Sequence, residues 1–417
     1  MLVHLQSALG IAAIVALAWL LSENRRAFPL RTVLAGLALQ IALALLLLKV
    51  AVARDVLFSL NGVVDALTAA TKAGTSFVFG YTGGGKAPFA VTDPSAMASF
   101  AFQILPLVIV ISALAALLWH WRILPAVVGG FAWALRKTMG IGGAVGLGSA
   151  ATIFLGMIEA PLLIRPYLAK MSRAELFMLF SVGLSTVAGT VFVLYATILQ
   201  PVIPGALGHI LVASVMSLPA AILIARIMIP GVSETDAGAA PGFEYRSSMD
   251  AIARGTEDGL RLWLSIVAML LVIVALVALA DIILSHAPDV AGSPLTVERI
   301  FGWIFAPVVW LFGIPWDQAP TAGALMGDKT VLNEFVAYLG LAHLPQGALD
   351  PRSRLIMLYA MCGFANLGSV GIMIAGVSGL VPERRAEIVP LAMRALISGT
   401  MASGLTGAMI GLLPVTS

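Results

Sequence analysis

The chain has 417 residues, of which 60% are hydrophobic and 11% charged, and its net charge is +3. Soluble domains carry about 25% charged residues, so this composition excludes a string of soluble domains, and the small positive balance gives no nucleic-acid surface. The single cysteine, Cys362, excludes an intrachain disulfide and reads as a small packing residue in an apolar stretch.

Apolar runs near the ~20 residues that span a bilayer are predicted at 5–22, 32–53, 97–119, 175–199, 208–229, 263–285, 355–378 and 387–413. In the first run the basic residues Arg25 and Arg26 follow the apolar segment, whereas a signal peptide places them before it, so a retained helix is expected. The stretches 55–95, 124–164 and 299–345 are apolar but broken by Gly and Pro. Irregular backbone at membrane depth survives only inside protein or beside a wet cavity, which marks these stretches as candidate re-entrant hairpins and interfacial helices.

Arg25, Arg26 and Arg31 place the first loop in the cytoplasm under the positive-inside rule. Alternation then puts Arg122, Arg136, Lys137, Arg246, Arg254, Arg261, Arg384 and Arg385 on the same side, while Arg352 and Arg354 run against the scheme. Segment 231–247 is the one linker of soluble character. The expected organisation is a single membrane domain over 1–417. It divides into N-terminal helices and scaffold (1–137), a first hairpin and broken-helix repeat (138–229), a cytoplasmic linker (230–262), a scaffold helix (263–298), and a second hairpin and broken-helix repeat (299–417).

The two halves share a pattern. Glu159 and Glu334 each lie in an apolar context, and each is followed two to three dozen residues later by a similar phrase. The first is Gly183-Leu-Ser-Thr-Val-Ala-Gly-Thr-Val191 and the second Gly363-Phe-Ala-Asn-Leu-Gly-Ser-Val370. Transporters built from two repeats bind substrate at the repeat interface, on interrupted helices. An acid facing lipid costs about 2.5–3.5 kcal/mol on insertion scales, so both acids are expected to face a cavity; the alternative pairs them with Arg165 or Lys329. Pro161 disfavours helical geometry at Ala160, which places Glu159 at a break, as at a hairpin tip. Asn333, Asn366, Ser369, Thr186 and Thr190 serve either as interhelical hydrogen-bonding groups or as ligands.

Two other motifs fail on inspection. Gly80-Tyr-Thr-Gly-Gly-Gly-Lys86 approaches a phosphate-binding loop, but Ala87 stands where a hydroxyl would hold magnesium and no strand precedes it. Ser185 would need a base beside it to act as a nucleophile, and the five histidines lie mostly near predicted span ends, without metal-ligand spacing. No enzyme and no cofactor is expected.

The segment Gly327-Asp-Lys329-Thr-Val-Leu-Asn333-Glu334-Phe335-Val-Ala337-Tyr338 resembles the signature of the concentrative nucleoside transporters. Gly74-Thr-Ser-Phe-Val-Phe-Gly80, Gln103-Ile-Leu-Pro106, Glu159-Ala-Pro161 and Cys362-Gly-Phe-Ala-Asn366 match in the same order. The resemblance implies an all-α integral membrane fold of about eight transmembrane helices, with interfacial helices, two re-entrant hairpins and two inverted-repeat-like halves containing broken helices. It also implies a homotrimer in the bacterial inner membrane that imports nucleosides on an ion gradient. Glu334, Asn366 and Ser369 match positions that hold ribose hydroxyls, Phe364 matches an aromatic lining the site, and Val191 matches an apolar contact to the base. A carboxylate and an amide clasp a diol through charge-assisted hydrogen bonds.

This sequence departs from the family pattern twice. At the first hairpin tip the family has polar side chains that bond the base, where Met157 and Ile158 stand here before Glu159. A modified nucleoside, another base or looser selectivity is therefore expected. Thr152 stands where sodium-coupled members place an asparagine ligand and substitutes for it only weakly, so that Thr152, Thr186 and the carbonyls of Leu155 and Val187 form a weaker possible sodium site. Proton coupling is favoured over sodium, with Glu159 or Glu334 as the carrier. The competing reading is a passive channel for small polar solutes.

Overall fold

The computed structural model describes residues 2–413 apart from 51, 53, 54, 56–58, 60, 93–96, 98, 232–234, 236–244 and 291. Most of the predicted linker 231–247, and the end of the predicted span 32–53, lie outside the described residues. Among the described residues there is no strand. The helices are α1 (Leu2–Leu20), α2 (Leu30–Lys49), α3 (Asn61–Phe79), α4 (Leu107–His120), α5 (Ile123–Met139), α6 (Gly143–Leu155) and α7 (Glu159–Leu163). They continue with α8 (Arg173–Ser185), α9 (Gly189–Leu199), α10 (Ala206–Met228), α11 (Ser248–Leu284), α12 (Val297–Leu311) and α13 (Ala319–Val331). The last four are α14 (Glu334–His343), α15 (Pro351–Met361), α16 (Leu367–Leu380) and α17 (Arg385–Leu412).

Six helical stretches among the described residues are long and apolar enough to cross a membrane: Leu30–Lys49, Phe100–His120, Arg173–Leu199, Ala206–Met228, Ser248–Leu284 and Pro382–Leu412. The predicted span 5–22 is the shorter apolar helix α1. The span 355–378 is two pieces, α15 and α16, because the chain leaves helical geometry between Met361 and Leu367.

The later part of the predicted linker 230–262, from Ser248 on, is helix, since α11 starts there. Its polarity hid it from a hydropathy reading, yet its local chemistry favours a helix. The Ser247 hydroxyl accepts from the Asp250 N–H, and Asp250–Arg254 and Glu257–Arg261 form i,i+4 ion pairs at 3.1 and 2.6 Å, the spacing that brings side chains together on a helix. Gly255 and Gly259 let α11 approach α4 closely: a side-chain carbon on them would lie 2.7 Å from the Ser112 carbonyl oxygen and 2.6 Å from Ile109 Cα. Small residues four apart serve this purpose in membrane helices.

The repeat seen in the sequence is also visible in the order of elements. In one half, α6 and α7 are joined by a short turn and followed by the pair α8 and α9, broken at Thr186–Ala188, and then by the long α10. In the other, α13 and α14 are followed by α15 and α16, broken at Cys362–Asn366, and then by α17. Helix α17 packs on α1, α8, α10 and α15 and forms the centre of the core. The two breaks meet there. The Phe364 N–H donates to the Thr186 carbonyl at 3.1 Å, and Gly363 passes so close to the other break that a side-chain carbon would sit 2.8 Å from the Ser185 carbonyl oxygen. Each break thus satisfies a backbone group that the other exposes.

The near-match to a phosphate loop is a short 3₁₀ turn, Gly80–Gly83, closing the end of α3. Thr75 donates its hydroxyl to the Gly83 carbonyl at 2.8 Å. Ser185 donates back to the Val182 carbonyl in its own helix.

Candidate substrate site

The signature segment separates into structural and cavity-facing parts. Gly327 is a packing residue, since a side-chain carbon there would lie 2.2 Å from Phe301 Cβ. Lys329 is fully buried and donates to Ser403 Oγ at 3.5 Å. Asn333 caps α14, its side-chain oxygen accepting from the Val336 N–H at 2.9 Å, as asparagine does at helix starts. Tyr338 donates its hydroxyl to the Leu358 carbonyl at 3.0 Å. Glu334, the first residue of α14, remains, and it points into a cavity of about 410 Å³.

Around Glu334 the second break supplies the polar groups. Asn366 caps α16, its side-chain oxygen accepting from the Ser369 N–H at 2.8 Å, and its amide nitrogen donates to Glu334 Oε2 at 3.0 Å. One side chain therefore starts a helix and orients the acid. Tyr195 donates its hydroxyl to Glu334 Oε1 at 2.7 Å. Both carboxylate oxygens accept, as an ionised carboxylate does, and each keeps a further lone pair for a ligand. Tyr195 escaped the sequence reading because a tyrosine in an apolar helix looks like core. Its signal was its place one turn after Val191, which puts both on one face of α9. The Tyr195 ring packs against Tyr338 and Phe335, with centroids 5.1 and 6.1 Å apart.

The other end of the cavity is built by the first hairpin. Its break lies at Gly156–Ile158, not at Ala160: Ala160 and Pro161 both belong to α7, where the missing proline N–H falls in the first turn and is tolerated. Gly156 takes φ +97°, a conformation favoured by glycine. Met157 and Ile158 both line the cavity. They also seal the tip against its neighbours, Met157 on Gly183 of α8 and Ile158 on Gly376 of α16. Glu159 is exposed to the cavity, and among the described residues neither it nor Glu334 has an ion-pair partner.

Met157, Ile158, Glu159, Val191, Glu334, Phe364, Asn366 and Ser369 therefore all line one cavity. The residues named for a coupling ion divide. Leu155 and Glu159 line the cavity, whereas Thr152, Thr186 and Val187 lie buried behind it. The stretch Ile153–Gly156 packs on Ala188 and Gly189, so the hairpin does meet the first break. There Thr152 donates to the Ser149 carbonyl at 2.7 Å, Thr186 donates to the Val182 carbonyl at 3.0 Å, and the Thr186 carbonyl accepts from Phe364, so these hydroxyls are oriented by backbone while their oxygens keep acceptor lone pairs.

A second cavity, of about 480 Å³, shares Leu155, Glu159, Thr190 and Leu262 with the first. It is bordered by Arg254, Glu257, Asp258 and Arg261 of α11. The two cavities thus adjoin at Glu159, and the second also borders Tyr245.

Comparison with known proteins places this arrangement. The family models for the Na+ dependent nucleoside transporter N-terminus, for nucleoside recognition (Gate) and for the Na+ dependent nucleoside transporter C-terminus match residues 9–82, 101–202 and 209–411. The chain is 36% identical to YutK of Bacillus subtilis, an uncharacterized transporter, covering 97% of this chain and 98% of that one. It is 35% identical to the nucleoside permease NupC of Helicobacter pylori, covering 97% of each. The solved structure of CNTnw in an inward-facing substrate-bound state superposes with a TM-score of 0.89 at 32% identity, over 98% of this chain and 97% of that one. With two acids facing one cavity where broken helices cross, the chain belongs to the concentrative nucleoside transporter family, and it is a secondary transporter of nucleosides rather than a channel or an enzyme.

Proposed function

We propose that the protein imports a nucleoside in symport with a proton, holding the ribose between Glu334, Asn366 and Ser369 and the base against Met157, Ile158 and Val191. The observation that carries this reading is the single cavity with a buried, doubly hydrogen-bonded carboxylate at one end and an exposed acid, Glu159, at the other. A site that holds diol hydroxyls with its own buried polar groups discriminates strongly against a missing hydroxyl, because those groups are then left unpaired.

Proton coupling draws support from the ion residues. Sodium prefers several oxygens, and Thr152 offers a single hydroxyl where the resemblance places an asparagine, while Glu159 has no ion-pair partner among the described residues and borders both cavities. Glu159 is the proposed proton carrier. Substrate and proton leave past Asp258 and Arg261, as the hairpin-bearing unit moves against a scaffold that includes α11. The homotrimer and the bacterial inner membrane follow the family resemblance, and the apolar outer face of α11, uncovered within this chain, fits a lipid or protomer contact.

Reconstituted protein tests this reading. Nucleoside should accumulate in proteoliposomes when a pH gradient alone is imposed, and a protonophore should abolish the accumulation. Accumulation that needs a sodium gradient would overturn proton coupling. Equilibration without accumulation under either gradient would overturn concentrative transport.

A further inference from the structure

We propose that Ser265 of α11 donates the hydrogen bond to the nucleobase that the apolar hairpin tip does not supply. The inference rests on the proposed orientation of the nucleoside, with its sugar at Glu334.

Helix α11 contributes Leu262, Ser265, Ile266, Met269 and Leu270 to the wall of the substrate cavity. The spacing of three to four residues puts them on one face of the helix. Ser265 is the single polar side chain among the five. Thr256 within this helix donates back to the Ile252 carbonyl at 2.7 Å, as hydroxyls in helices commonly do, Ser285 just past its end donates to the Ile282 carbonyl at 2.7 Å, and Ser248 at its start accepts from Trp121 Nε1 at 3.2 Å. Ser265 departs from this habit. It is exposed to the cavity, and among the described residues its hydroxyl has no hydrogen-bond partner.

Of the other polar side chains lining the cavity, Ser369 is assigned to the ribose. Tyr195 and Asn366 hold Glu334, and Asn333 caps α14. Glu159, when ionised, accepts only. Thr190 borders both cavities and so lies at the opening between them, whereas Ser265 borders the substrate cavity alone. Leu262, one turn before Ser265, touches the same opening beside Glu159. Ser265 thus lies one helical turn from a residue that borders Glu159 at the hairpin tip. The common nucleobases present an acceptor, a carbonyl oxygen or a ring nitrogen, on the edge remote from the sugar, and a free hydroxyl is the donor that such an edge requires.

The test measures equilibrium binding of two ligands to purified protein: a natural nucleoside, and a C-riboside carrying phenyl in place of the base, which keeps the sugar and has no acceptor on the ring. Loss of one neutral hydrogen bond predicts that Ser265→Ala binds the nucleoside about three- to tenfold more weakly. Binding of the phenyl riboside should be unchanged, so that discrimination between the two falls by the same factor. Ser265→Thr keeps the hydroxyl and should keep the discrimination. Equal weakening of both ligands, or unchanged discrimination in Ser265→Ala, overturns the inference while leaving nucleoside transport standing. A ligand-free melting temperature that falls in step with the binding loss assigns Ser265 to packing and also overturns it. Wild-type protein that binds neither ligand overturns the nucleoside orientation, and this inference with it.

Discussion

Tyr195→Phe removes one oxygen and leaves the ring in place. In the native protein the Tyr195 hydroxyl donates to Glu334 Oε1 at 2.7 Å, and both residues are nearly inaccessible, at 2% and 4% exposure. The phenylalanine ring can keep its packing against Tyr338 and Phe335, so the change isolates the hydrogen bond. A hydrogen bond to a charged group contributes about 1.5–3 kcal/mol, a factor of about 10 to 150 in an equilibrium constant. Glu334 keeps its bond from Asn366 Nδ2 but loses the constraint on its other oxygen, so the carboxylate rotates and the geometry offered to a diol degrades. We expect nucleoside affinity to fall by at least tenfold. We also expect discrimination between a nucleoside and its 2′- or 3′-deoxy analogue to shrink, because the variant no longer holds the acceptor where the hydroxyl arrives. The assay is competition binding of the three ligands to purified wild type and variant, with the ligand-free melting temperature measured alongside. A variant with unchanged affinity and unchanged preference for the ribo form would refute the idea that Tyr195 orients Glu334 for sugar recognition.

Glu334→Gln and Glu334→Ala should both abolish uptake while the protein still inserts and purifies as a folded oligomer; near-normal transport by both would refute the role of the carboxylate. Gly363→Ala forces a side-chain carbon against the Ser185 and Leu184 carbonyl oxygens, where overpacking costs about 1–3 kcal/mol, so the melting temperature should drop by several degrees and transport should fall with it. The double change Met157→Gln with Ile158→Thr should shift the order of preference among nucleosides with different bases in an uptake competition panel, and an unchanged order would remove these two residues from base recognition. Outside the membrane, the hydrogen bond from Arg173 holds the Glu23 carboxyl below its ordinary value of 4.5; burial opposes this, and the charges of Arg173 and Arg394 add to it. A lowered folded-state value stabilises the protein above pH 4.5, and the contribution is lost as pH falls through that lowered value. The melting temperature of wild type should therefore exceed that of Glu23→Gln at neutral pH, and the gap should close on acidification below 4.5. Partial exposure keeps the gap small.

How far the sequence reads depends on the kind of contact involved. The helical membrane class followed from composition, and the two acids stood out because an acid in an apolar stretch is costly unless it meets water or a partner. Asn333 and Asn366 were singled out as polar groups in apolar surroundings, but that each caps a helix was not read from the sequence, although capping is a local relation carried by residues three apart. The polar start of α11 was not legible as helix in a hydropathy scan, since its stability comes from capping, ion pairs and close approach through Gly255 and Gly259. The hairpin tip was read at Met157 and Ile158, where the break lies, but Ala160 was expected to leave helical geometry and does not, because Pro161 marks a first helical turn as readily as an interruption.

By itself, the sequence determined that this chain is a membrane protein with two acid-bearing repeats, since apolar runs, charge scarcity and repeated phrases are properties of short segments. Only the tertiary structure decided that Tyr195 holds Glu334 from 139 positions away, that the two breaks bond to each other through Phe364 and Thr186, and that Ser265 of a distant helix faces the same cavity. These pairings arise from how helices cross, and a helix that looks uniformly apolar along its length gives no sign of which face will meet the cavity until its neighbours are in place.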